Sequence, residues 1–121
     1  MNNHIDPIPL TVHDIQAILC ALPLATYIDS GSPAQDELTL TACNSIVDKI
    51  SNQSAAFAPK EILVISSAIS TAKQFLSGTL PELSDILEPD EKADLAMYLF
   101  TYNRLCPVFD GLADKARRIL A

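Results

Sequence analysis

Tryptophan is absent from the 121 residues, glycine occurs three times, histidine twice, and no apolar run exceeds six residues, as from Leu95 to Phe100. Each shortage excludes a class of structure or chemistry. A membrane-spanning helix needs about 20 consecutive apolar residues, so none is expected. Gly31, Gly78 and Gly111 stand alone, which leaves no glycine loop to cradle a phosphate. Neither a HExxH motif nor a GxSxG nucleophile elbow occurs. No stretch of useful length alternates apolar and polar residues as a half-buried strand would.

Positive charge is scarce as well. Eight basic side chains face fifteen acidic ones, a net charge of −7. That balance opposes the phosphate field of nucleic acids and anionic membranes, so neither is an expected partner. A basic protein partner, or simply solubility, fits better. The charge is also uneven, because the four bases Arg104, Lys115, Arg117 and Arg118 fall in the last eighteen residues with only two acids.

The cysteines, Cys20, Cys43 and Cys106, are odd in number and widely spaced, so a disulfide framework is not expected. Each lies within or at the end of a helical pattern and reads as a reduced, mostly buried thiol. The N-terminus, beginning Met1-Asn2-Asn3-His4, lacks the positive charge and apolar stretch of a secretory signal. A cytoplasmic protein is the expectation. His13 and Cys20 point the same way on one helix but are separated by seven residues, about 10 Å of axial rise, too far to share a metal unaided. No metal and no cofactor is expected.

What the chain has in quantity is apolar side chains, 49% of the total, and eight prolines that divide them. Ser32-Pro33, Ala58-Pro59 and Glu88-Pro89 each precede a stretch of helical periodicity, where a first-position proline loses no intrahelical hydrogen bond. The expected fold is all-α: one compact bundle of about five helices, mostly antiparallel neighbours, over residues 11–121. Residues 1–10, with Pro7 and Pro9, form an extended lead-in.

The first helix is expected to open at Thr11, with Asp14 completing an acidic variant of the capping box. Val12, Ile15, Ile18, Leu19 and Leu22 would face the core until Pro23 ends or kinks the helix. In the second, Ser32, Pro33 and Gln35 supply a cap, a first-position proline and a capping-box partner. Leu40, Cys43, Ile46, Val47 and Ile50 then share a face. The third runs from Pro59 to about Ser77, buries Ile62, Ile65, Ile69, Ala72 and Leu76 with Val64, Ala68 and Phe75 beside them, and stops at Gly78. Its other side is uncharged over Ser66, Ser67, Ser70 and Thr71. A helix so broadly apolar should touch more than one neighbour.

A connector follows, with a short turn over Pro81 to Ile86. The helix from Pro89 is expected to run to about Leu105 and to bury Leu95, Tyr98, Leu99, Tyr102, Leu105 and Cys106. Pro107 would then break the chain, and Phe109, Leu112, Ala116, Ile119 and Leu120 would line a last helix.

Two surfaces are left over. Met97 and Phe100 project from the side of the Pro89 helix opposite its core face, with Arg104 at their edge, and are a candidate interaction face. Asp85, Glu88, Asp90, Glu91 and Asp94 form a candidate acidic docking patch, held together by one helix N-terminus where acids are stabilised. The spacing does not match a calcium loop. The expected function is protein–protein interaction without catalysis, either as an inhibitor or immunity-like companion of a basic protein or as a homodimeric adaptor. The alternative is a small-molecule or lipid-binding bundle with an apolar pocket, suggested by the seryl side of the third helix and the surplus of apolar residues.

Overall fold

The computed structural model describes residues 7–27, 33–54 and 56–121. Among them six helices and no strands occur: α1 (Val12–Tyr27), α2 (Pro33–Ser51), α3 (Pro59–Leu76), α4 (Leu83–Ile86), α5 (Pro89–Met97) and α6 (Leu99–Leu120). The all-α bundle is as expected. The count exceeds five because the connector holds a single helical turn, α4, within the stretch where a turn was anticipated.

α3 is the centre. Ile62, Ile65, Ile69 and Ala72 are completely buried, and Val64 and Ala68 nearly so. The helix packs most extensively on α6 and α1, and also on α2 and α5. It ends as Gly78 implies: with φ +84°, this glycine sends its N–H to the Phe75 carbonyl while Thr79 N–H reaches Gln74, both at 3.0 Å. These two bonds satisfy carbonyls that the helix end would otherwise leave open. α2 closes in the same way without a glycine, since Gln53 occupies φ 59° and Ser54 N–H bonds the Lys49 carbonyl.

Where α2 meets α3, the chain buries a carboxylate. Glu61, 4% exposed, accepts the Ala58 N–H at 2.6 Å and the Lys49 ammonium. Ala58 has no side-chain oxygen, so Glu61 alone supplies the cap of α3 and also ties it to α2. Burial alone would raise this carboxyl, but the hydrogen bonds from Lys49, Ser45 and Ala58 and the Lys49 charge together hold it below its ordinary value.

The core of the bundle is one connected cluster drawn from all six helices and from Ile8, Phe57 and Leu87 outside them. Of the lead-in, residues 7–10 carry no helix, and Ile8 is buried; residues 1–6, with His4, lie outside the described residues. So do the turn at Ser30-Gly31-Ser32 and the expected Ser32 cap of α2.

α1 opens with the anticipated reciprocal cap: Thr11 N–H donates to Asp14 Oδ2 and Asp14 N–H to Thr11 Oγ1, each at 3.1 Å. Its buried face differs from the expected stripe. Ile18 and Leu22 are buried, but Val12 is 72% exposed and Leu19 lies at the surface, while Asp14, Ala17, Ala21 and Leu24 turn inward. Small side chains at 17 and 21 let α1 approach its neighbours closely, which places the contact on that side of the helix. Pro23 does not end the helix, which continues four residues to Tyr27. Pro23 is exposed, and a carbonyl left open on a wet face is solvated at little cost.

On α2, Cys43, Ala42 and Ile46 are buried, whereas Leu40 and Val47 are exposed, contrary to the expected face. The helix packs chiefly on α1 and α3, so a narrow strip suffices.

The C-terminal third departs most from expectation. The break falls at Tyr98, and α6 runs straight through Pro107. Thr101, Tyr102, Leu105, Phe109, Ala113 and Ala116 make one unbroken buried face on both sides of that proline. Pro107 and Asn103, whose carbonyl loses its partner, are exposed, so water takes the place of the missing donor. Leu99 and Leu120, expected in the core, are exposed.

Candidate functional site

The break at Tyr98 builds the surface on which function is most readily read. α5 starts at Pro89, and Glu91 Oε1 accepts the Glu88 N–H at 3.0 Å, capping the first turn. Nine residues later Tyr98 takes φ −101° and ψ 15°, and its N–H bonds Leu95 three residues back rather than four. α6 then resumes with Tyr102 N–H on the Tyr98 carbonyl at 2.9 Å. The result is an elbow.

Aromatic contacts with α1 fix its position. The His13 and Tyr98 rings lie 4.9 Å apart, Tyr98 and Tyr102 meet edge to face at 6.5 Å, and the Tyr102 hydroxyl donates to the Ala17 carbonyl at 2.8 Å. Burial, foremost, and the nearby Cys20, Tyr98 and Asp94 groups raise the Tyr102 phenol well above its usual value, so it remains a neutral donor. Leu95, Thr101 and Tyr102 are directed inward and Tyr98 lies against α1, which leaves Met97 and Phe100 on the outer side. Met97 is 65% exposed and Phe100 85%. Ala93 and Ala96 are exposed beside them.

The candidate acids divide. Asp85, Glu88, Asp90 and Asp94 are exposed and form no ion pair among the described residues. Glu91 is half-buried and serves the cap. Asp90, Asp94 and Met97 follow one another at helical spacing, so two of the acids share a face with the apolar pair. Asp85 and Glu88 sit farther back, at α4 and the α5 N-terminus. Lys92, the one base within the run, turns to Ser84 Oγ at 3.0 Å and neutralises none of them.

Arg104, expected at the edge of this surface, stands one turn beyond Phe100 on α6 with its side chain partly in water. It pairs with Asp14, whose carboxylate is buried at the start of α1. Its role there is to hold α6 against α1. Ninety residues of separation hid that contact; the only legible trace was the Thr11–Asp14 cap.

The thiols are those of Cys20, Cys43 and Cys106. All three are free. Burial raises Cys20, helped by Asp94; burial raises Cys43; and burial with the Asp110 charge raises Cys106 against a weaker pull from Lys73. Thiols shifted in that direction are poor nucleophiles near neutrality. His13 rests on Tyr98, while Cys20 lines a cleft between α1 and α5 with Glu91 and Asp94. Among the described residues no group of three His, Cys, Asp or Glu side chains is placed to hold a metal ion, and no helix is long and apolar enough to cross a membrane.

Other concavities lie away from the elbow, two of them along α3. One, of about 340 Å³, is lined by Ala25, Leu63, Val64 and Leu120 together with polar groups of α2 and α3, among them Asp36, Thr39 and Lys60, and is an open cleft rather than an enclosed pocket. The other runs along α3 and α6 and is polar. Comparison with known proteins yields no match: no family model, no curated protein and no solved structure is significantly similar to this chain.

Proposed function

We propose that this chain is a non-catalytic interaction module that docks a basic protein on the α5–α6 elbow. The observation that carries the reading is the exposure of Phe100 and Met97 on an aromatic-pinned bend, next to Asp90 and Asp94, which form no ion pair among the described residues. A large ring held in water on an ordered helix is the usual form of an interface anchor. Unpaired acids around it add long-range attraction for a basic surface and specificity in docking.

The same acids argue against a second copy as occupant, because a two-fold interface over Met97 and Phe100 would bring Asp90 and Asp94 of both copies together. A basic partner relieves that repulsion. The three free thiols suit a reducing compartment, in keeping with a cytoplasmic setting.

The test compares wild-type protein with Phe100→Glu as bait in extracts of the source cells. Retention of one basic protein by the wild type, weakened by salt and lost in Phe100→Glu with unchanged helicity, supports the reading. Identical captured sets for the two baits, or a homodimer that persists in Phe100→Glu, contradict it.

A further inference from the structure

Beside the elbow, α1 and α5 do not close completely on each other. Leu24, Leu87 and Leu95 are buried at the base of a cleft of about 160 Å³, and Leu19 and Pro23 stand exposed along its α1 edge. Its α5 edge carries Glu91 and Asp94, one helical turn apart. The cleft is therefore apolar within and negative along one side. Asp94 stands one turn before Met97, so the opening adjoins the face on which the proposed partner docks.

No described cation of the chain serves this edge. α1 contains neither lysine nor arginine, and Lys92, the one base of α5, reaches Ser84 instead. Asp94 is exposed and forms no ion pair among the described residues, while Glu91 accepts the Glu88 N–H. The Asp94 charge is felt inside the cleft: the Cys20 thiol on its wall is raised by burial first and by Asp94 second.

Size and polarity narrow the occupant. About 160 Å³ is near half of the ~300 Å³ at which small-molecule pockets begin, which suits one side chain rather than a whole ligand. An anion would meet Glu91 and Asp94. A purely apolar group would strip water from Asp94 and leave its charge uncompensated. A metal ion lacks a third ligand among the described residues. A lysine or arginine satisfies both halves, since its methylene stem lies along apolar surface while its charged head stays at the water's edge beside a carboxylate. An anchor seated in a pocket next to a large exposed ring is also how interfaces concentrate their binding energy.

We propose that the α1–α5 cleft receives one lysine or arginine side chain of the basic partner, its stem against Leu19, Pro23 and Leu95 and its head at Asp94. The proposal rests on the elbow reading but is tested without the partner. The experiment is an amide-resolved NMR titration of the full chain with end-blocked pentapeptides, glycine throughout except for a central lysine, arginine or norleucine, each to ~20 mM. Saturable shifts are expected at Leu19, Cys20, Glu91, Asp94 and Leu95 with the lysine or the arginine peptide, weakened by salt and absent with the norleucine peptide. Asp94→Asn, at an exposed position, should weaken that binding about threefold, the worth of one solvent-screened ion pair. No saturable shifts in the cleft, equal shifts with norleucine, or binding unchanged in Asp94→Asn would overturn the proposal. So would shifts at the same amides that follow protein concentration without any peptide, which mark a second copy of the chain in the cleft. Failure of the peptides, with the captured protein still lost from Phe100→Glu, removes the cleft and leaves the elbow; bound peptides, with Phe100→Glu capturing what the wild type does, uphold the cleft and remove the elbow.

Discussion

Arg104 of α6 pairs with Asp14 of α1, a carboxylate 1% exposed that also accepts the Thr11 N–H opening the helix. One guanidinium therefore stabilises a helix cap and a helix–helix contact together. Arg104→Ala leaves that carboxylate buried beside a single backbone donor. Half of the Arg104 side chain is in water, which moderates the loss. The expected destabilisation is about 2–3 kcal/mol, read by urea unfolding. A loss below about 0.5 kcal/mol, the range of ordinary surface substitutions, would show that the pair contributes little.

Glu61 gives the pH dependence. Its carboxyl is held below its ordinary value in the folded chain, so the ionised form is favoured by folding. The corresponding stability is complete above the unfolded value of ~4.3 and is lost as pH falls through the lower folded value. Glu61→Gln is expected to cost about 1–3 kcal/mol at neutral pH. The gap between wild type and variant should close in acid, where both side chains are neutral. A gap independent of pH would contradict the ion pair with Lys49.

How the sequence marks its helices is clearest in α3. Pro59, Gly78 and the isoleucines between them agree on start, stop and buried face, and the helix is found where they place it. In α6 the local and tertiary signals conflict. Pro107 marks an end by local rules, but continuing the helix keeps Leu105, Phe109 and Ala113 on one buried face at the expense of a single solvent-facing hydrogen bond. The break moves instead to Tyr98, which His13 and Tyr102 hold from either side. Exposure of Met97 and Phe100 was legible from periodicity within one helix. The engagement of Arg104 with Asp14 was not, because spacing along a chain says nothing about which distant residue a flexible side chain meets.

Pro107→Ala follows from that conflict. It restores an N–H to Asn103 at an exposed position of a continuous helix. A gain of about 1–3 kcal/mol is expected, seen as a higher melting temperature with no loss of helical ellipticity. Destabilisation would indicate that the proline shapes a bend that α6 requires.

Gln53 carries a smaller strain. A side chain at φ 59° is disfavoured where glycine is not, and the C-terminal bonds of α2 require that geometry. Gln53→Gly should stabilise by about 0.5–1 kcal/mol, measured as a shift in the urea midpoint. No shift, or a fall, would show that the added freedom of the unfolded chain outweighs the relief.

The elbow is the central claim, and site-specific photocrosslinking tests it most directly. A photoreactive phenylalanine analogue is placed at position 100 and, separately, at position 47 on α2, where Val47 is also exposed but has no acidic face of the elbow beside it. The account predicts a single basic protein crosslinked from position 100 in the source cells, absent from position 47 and diminished when Asp90 and Asp94 are changed to asparagine. Equal yields from the two positions, or an adduct at position 100 made only with a second copy of this chain, would contradict it.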